Sequence, residues 1–164
     1  MSKILIIEDN ENIKKELIEF LSKYGYDAYG IDDFKNIINL SIESNPDLIL
    51  LDINLPYYDG YYVCREIRKI KDIPIIIVTS RDSDMDEIMS INFGADDFIT
   101  KPYNTQVLLA RIGAVLRRTE SHGVEQDFIE HRGLKLNVGK GEMNFNNNNV
   151  DLSKNELKIL TCLM

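Results

Sequence analysis

The sequence predicts an α/β fold: a doubly wound, five-stranded parallel sheet over residues 1–119, then a partial β-rich segment over residues 127–164. Three observations predict it. Short β-rich apolar runs recur with helical patterns between them, as crossover connections in an α/β sheet require. The runs are continuous rather than alternating, which suits strands buried on both faces. Acids, hydroxyls and an amine stand just past four of the runs, where open α/β sheets collect functional groups.

Taken in order, Ile4-Leu5-Ile6-Ile7 is the first strand, and Ile13, Leu17, Phe20 and Leu21 follow the 3.6-residue spacing of a helix. Tyr26 to Ile31 reads as a weak edge strand, and Phe34, Ile37, Ile38 and Ile42 form a second helical stripe. Leu48-Ile49-Leu50-Leu51 is the third strand, with a helix from Tyr61 to Lys69 after it. Ile75-Ile76-Ile77-Val78 is the fourth, with a helix from about Ser83 to Asn92. Phe98-Ile99 is a short fifth strand before a helix from Asn104 to Arg118, whose face is set by Val107, Leu108, Arg111, Ile112 and Val115.

From Glu120 to Gln126 the apolar period lapses, and Ser121-His122-Gly123 marks a linker. Beyond it, Phe128, Leu134, Leu136, Val138, Met143, Phe145 and Val150 recur in short segments separated by Gly- and Asn-rich turns, an antiparallel meander. The run Asn146–Asn149 is read as one of those turns, and Ser153-Lys154-Asn155-Glu156 as the capping box of a new helix.

Composition excludes several classes. No apolar run approaches the roughly 18 residues of a membrane span, and the N-terminus lacks the longer apolar region of a signal peptide, so a cytoplasmic protein with no membrane insertion is expected. Residues 1–119 carry 14 Lys/Arg against 20 Asp/Glu, so this part is no basic nucleic-acid clamp. Cys64 and Cys162 each sit in an apolar helical pattern and are expected as buried free thiols.

The strand ends carry the chemistry. Glu8-Asp9, Asp52, Thr79-Ser80 and Thr100-Lys101 bring three carboxylates, a hydroxyl and an amine to one rim. A carboxylate accepts a phosphoryl group when a bound metal and a cation offset the negative charge. Asp9 and Asp52 suit direct ligation of Mg²⁺ with Glu8 acting through water, Lys101 suits one phosphoryl oxygen, and the Thr79 hydroxyl suits another. Asp52 is then the phosphoacceptor. Singly, Glu8-Asp9-Asn10 reads better as a helix cap, and an aspartate placed like Asp52 is more often a turn residue than a nucleophile. Their joint occurrence at four strand ends favours chemistry.

With Glu8-Asp9, Asp52-Ile53-Asn54-Leu55-Pro56, Asp59-Gly60, Thr79-Ser80 and Gly94-Ala95-Asp96-Asp97-Phe98-Ile99-Thr100-Lys101-Pro102, the chain resembles the receiver domain of two-component response regulators. The last stretch is similar to the OmpR/PhoB subfamily, and Asp52 to Tyr62 with Cys64-Arg65 looks most like regulators that answer cell-envelope antibiotics such as bacitracin. The resemblance implies strand order 2-1-3-4-5, a sensor histidine kinase as phosphoryl donor, and self-catalysed Mg-dependent phosphorylation and dephosphorylation rather than a dedicated enzyme. It further implies the Asn54 backbone carbonyl as a metal ligand, a cis Lys101-Pro102 bond, and Phe98 as a switch aromatic coupled to Thr79. Asn54 and Arg81 stand where the family tunes acyl-phosphate lifetime. Asp96, Asp97, Arg111 and Arg118 are the charges expected to pair across an activated homodimer face, although Glu87 and Val107 depart from the residues of one usual salt bridge there.

Residues 127–164 resemble the first strands and first helix start of an OmpR-type DNA-binding domain, the match ending before any recognition helix. The expectation is a truncated output domain, with promoter DNA a partner of a full-length protein only. The alternative is a single-domain signalling module acting by protein contact. A haloacid-dehalogenase-like phosphatase needs a second acid where Asn54 stands, and a flavodoxin-like nucleotide site lacks its glycine-rich loop. His122 and His131 receive no role.

Overall fold

A computed structural model of the chain describes residues 1–80, 88, 92–120, 128–131, 134–137, 142–145, 148–153 and 156. The chain divides into two compact units, Met1–Arg118 and Thr119–Met164.

In the first unit the elements run β1 (Lys3–Ile7), α1 (Glu11–Lys23), β2 (Asp27–Gly30), α2 (Ile37–Glu43), β3 (Leu48–Leu51), α3 (Gly60–Ile70), β4 (Ile75–Thr79), β5 (Asp97–Thr100) and α4 (Thr105–Glu120). The strands form one parallel sheet in the order β2-β1-β3-β4-β5. The helix expected over 83–92 lies mostly outside the described residues, of which Ile88 and Asn92 are helical. The stripe beginning at Phe34 is split. A 3-10 turn, Phe34–Asn36, capped by the Asp33 carboxylate, precedes α2.

The continuous apolar runs are explained by two cores, one on each face. Ile4, Ile6, Leu48, Leu50, Ile76 and Val78 pack with Leu17 and Leu21 of α1 and Leu108, Ile112 and Val115 of α4. Leu5, Ile7, Ile49, Leu51, Ile75 and Ile77 pack on the other face with Ile37 of α2 and Val63, Cys64 and Ile67 of α3. Successive strand residues point to opposite faces, so every position meets a helix. Each fully buried Leu or Ile contributes roughly 1.5–3 kcal/mol.

Local chemistry starts the helices. The Asn10 side chain accepts the N–H groups of Asn12 and Ile13, and Asp59 accepts that of Tyr61. The cap of α1 is therefore Asn10, which leaves Glu8 and Asp9 for another role. Gly60 is required sterically: a Cβ there would stand 2.3 Å from the Asp52 carbonyl oxygen and 2.6 Å from Ile53 Cα.

At the far end of α3, Arg68 Nε donates to the Gly94 carbonyl at 2.6 Å and Nη1 to Asp72 at 2.8 Å, while Nη2 pairs with Asp96. Cys64 is buried and free, and Cys162 lies outside the described residues.

In the second unit, β6 (Phe128–His131), β7 (Leu134–Asn137), β8 (Glu142–Phe145) and β9 (Asn148–Asp151) form an antiparallel sheet in sequential order. The asparagine run is not wholly a turn, because Asn148 and Asn149 pair with Phe145 and Asn144 in β9. Ladder hydrogen bonding there overrides the turn preference of asparagine. Ser153 and Glu156 make the reciprocal bonds of a capping box: the Ser153 N–H donates to Glu156 Oε2 at 2.8 Å and the Glu156 N–H to Ser153 Oγ.

Candidate functional site

The strand order reverses direction between β1 and β3, and the residues that follow these two strands flank that switch point. Glu8 and Asp9 follow β1, Asp52 follows β3, Thr79 ends β4, and Lys101 follows β5. One oxygen from each of Glu8, Asp9 and Asp52 fits within a span of 4.8 Å. Glu8 and Asp52 are buried and Asp9 is exposed.

Lys101 joins them. Its Nζ donates to Glu8 Oε2 at 2.6 Å and to Asp52 Oδ2 at 2.8 Å. Burial opposes the Lys101 charge, but the hydrogen bonds to Asp52 and Glu8 outweigh it and raise the ammonium above the ordinary lysine range. Burial pushes the Glu8 carboxyl up, and the charge of Asp52 adds to that push against the pull of the Lys101 hydrogen bond. Three carboxylates against one ammonium leave the rim with excess negative charge, two of the carboxylates being buried. That donor set suits a hard divalent cation such as Mg²⁺, which prefers a few carboxylates.

The remaining contacts fix Asp52 further. The Asn54 N–H donates to Asp52 Oδ1 at 3.1 Å, so the turn reading of this aspartate is also realised, and Asn54 Nδ2 reaches Ser80 Oγ at 3.3 Å. Thr79 is fully buried and pairs with Thr100 in register, and the Lys101 N–H donates to the Thr79 carbonyl at 2.7 Å. The Lys101-Pro102 peptide is cis. Phe98 lies beside Ile77 in the ladder and packs, partly buried, against the core on the α2 and α3 face.

The other charged group is engaged differently. Asp96 accepts the Ile75 N–H at 2.9 Å and pairs with Arg68, and Asp97 accepts from Arg111 Nη1 at 2.7 Å. Within this chain, then, these acids already have partners. Arg118 is exposed and, with Gln106, Val107, Ala110 and Ala114, lines a groove of about 560 Å³. Arg81 and Glu87 lie outside the described residues. The sequence reading missed Arg68: its Asp72 partner is a local i,i+4 signal, but Gly94 and Asp96 are 26 and 28 residues away and leave no local mark.

Sheet order and rim chemistry together define a class, and comparison agrees: the profile of the response regulator receiver domain family matches residues 4–113, and the chain belongs to that family. It is the receiver domain of a two-component response regulator, carrying a further segment. Among relatives, the transcriptional regulatory protein YxdJ of Bacillus subtilis is 40% identical over all of this chain and 73% of its own length. The N-terminal domain of the nisin resistance regulator NsrR, a lantibiotic response regulator, is 42% identical, with a TM-score of 0.66 over 71% of this chain and 99% of that one. The BeF₃-activated receiver domain of Klebsiella pneumoniae RstA is 37% identical, with a TM-score of 0.67 over 70% of this chain and 98% of that one. Among the described residues no helix is long and apolar enough to cross a membrane.

Proposed function

We propose that Asp52 accepts a phosphoryl group from a sensor histidine kinase and that this modification switches the chain's output. A carboxylate oxygen of Asp52 attacks the phosphorus in line; the donor P–N bond breaks, and its electron pair returns to the imidazole. Lys101, already on Asp52 Oδ2, turns its ammonium to the arriving phosphoryl oxygens, and Thr79 supplies a hydroxyl for another. Glu8, Asp9, Asp52 and the Asn54 carbonyl would hold Mg²⁺, whose charge would offset that of the transferring group. The domain thus catalyses its own modification and hydrolysis without being a dedicated enzyme.

The single observation carrying this reading is the Lys101 ammonium within 2.8 Å of both Glu8 and Asp52 at adjoining strand ends. The test is intact mass after incubation with acetyl phosphate and Mg²⁺. A phosphate-sized gain, absent from Asp52→Ala and from a chelated sample, is the expected result; no gain in the wild type sinks the reading.

Downstream, Phe98 couples the phosphorylated rim to the β5 and α4 surface, where Asp96, Asp97, Arg111 and Arg118 pair across a homodimer. A new dianion supplies the few kcal/mol that such a two-state shift requires. Residues 127–164 are the N-terminal part of an OmpR-type DNA-binding domain, residues 120–126 its linker, and residues 1–119 the receiver. Output is transcriptional, in the cytoplasm, through promoter DNA bound by the full-length protein. The likeness to NsrR supports a response to cell-envelope antimicrobial peptides.

A further inference from the structure

Tyr57 combines a left-handed backbone with a largely exposed side chain. Its backbone has φ +70°, the left-handed region that costs any side chain with a Cβ. The only other described non-glycine residue with positive φ is Asn45, whose short amide tolerates that region. A phenol has no such local compensation. Tyr57 is 68% exposed, so it buries little against this domain.

The loop is built to present that ring. Asn54 and Asp59 form an antiparallel bridge, and the Gly60 N–H donates to the Ile53 carbonyl at 2.9 Å, which closes the base and leaves Tyr57 towards the tip. The base is tied to the reaction centre, since the Asn54 N–H donates to Asp52 Oδ1. Lys35, from the 3-10 turn after β2, places its ammonium 5.1 Å from the Tyr57 ring centroid. Lys35 thus sets a cation beside the ring of a loop whose base is tied to Asp52, and an incoming phosphoryl group is itself anionic.

We infer that Tyr57, with Lys35 over its ring, is a recognition residue for the phosphorylated protein that donates to Asp52. The strained backbone is retained because the ring's contacts lie on that donor. Tyrosine is enriched among the few residues that carry most of the binding energy of protein interfaces. This rests on the reading of Asp52 as phosphoacceptor. A small donor such as acetyl phosphate reaches Asp52 without touching the loop tip, so the two donors separate the roles.

The experiment uses the full chain as wild type, Tyr57→Gly and Tyr57→Phe. Each is offered acetyl phosphate with Mg²⁺ and, separately, the ATP-phosphorylated cytoplasmic portions of the sensor histidine kinases of the source genome. Tyr57→Gly relieves the positive φ, so it is expected to unfold no lower than wild type and to react with acetyl phosphate at the wild-type rate. Transfer from the fastest kinase is expected to fall about tenfold, the loss of one good anchoring contact, with Tyr57→Phe close to wild type. Undiminished kinase transfer to Tyr57→Gly overturns the inference. So does an equal loss with acetyl phosphate, which places the ring in the reaction centre, or a lower unfolding temperature, which makes the ring structural. A wild type inert to every donor overturns the Asp52 reading and this one together, and is recognised because all three proteins then behave alike.

Discussion

Lys101 Nζ lies 2.8 Å from Asp52 Oδ2, and the same ammonium holds Glu8, so one cation satisfies two buried carboxylates. Lys101→Met leaves both acids without it. Removing one partner of a buried pair costs about 3 kcal/mol, and urea denaturation in chelator is expected to show a loss of that order. The same variant is expected to lose acetyl phosphate reactivity. Unchanged stability places the two carboxylates in better contact with water than their burial indicates.

Excess negative charge at the rim makes divalent cations stabilising. With Mg²⁺ at about a hundred times its dissociation constant, mass action adds about 2.7 kcal/mol. Thermal unfolding is therefore expected several degrees higher in Mg²⁺ than in chelator, and Asp9→Asn is expected to shrink the difference. Identical melting curves count against the metal site.

Gly60 sits against the backbone of the phosphoacceptor. Gly60→Ala sets a Cβ into contact with Asp52 and Ile53 backbone atoms, which cannot swing aside as a flexible side chain does. Overpacking of this kind costs about 2 kcal/mol, and a melting temperature lower by about 10 °C is expected. Wild-type stability of Gly60→Ala shows that α3 slides freely over β3.

Arg111 pairs with Asp97 inside the chain, while its buried Nε has no hydrogen-bond partner among the described residues. If this face is the activated homodimer contact, Arg111→Ala removes the phosphorylation-dependent dimer seen by sedimentation or light scattering while leaving the mass gain at Asp52. Persistence of the dimer moves the contact elsewhere.

Cys64 is fully buried, and burial pushes its thiol up to about 11. At pH 8 roughly one thiol in a thousand is then ionised, a tenfold rise per pH unit towards that value. In a Cys162→Ser background, iodoacetamide is expected to modify the native protein far more slowly than the unfolded chain. Rapid labelling of the native state refutes the buried, neutral thiol.

Most of the sheet and the rim were legible because both follow local rules. Runs such as Leu48–Leu51 are apolar at every position, Glu8 and Asp52 directly follow such runs, and Lys101 stands two residues past the short Phe98-Ile99 run. Asn10 shows where local reading stops short: Asp9 and Asn10 after β1 both suit a cap, and only the backbone decides that Asn10 accepts the N–H groups. Neither the Arg68 fan nor the Lys35–Tyr57 contact was legible, since each joins side chains brought together by folding. The positive φ of Tyr57 was equally hidden, because tyrosine is a poor signal for a left-handed backbone.

Arg68 offers its fan to three acceptors, two of them on the turn that leads into β5, and Gly94 leaves only 3.1 Å between a would-be Cβ and the arginine stem. A lysine has no planar fork with which to reach all three. Helix α3 is therefore not a portable module. A chimera that imports this helix into a related receiver must import Gly94 and Asp96 as well, or the graft will carry an arginine with nothing to hold.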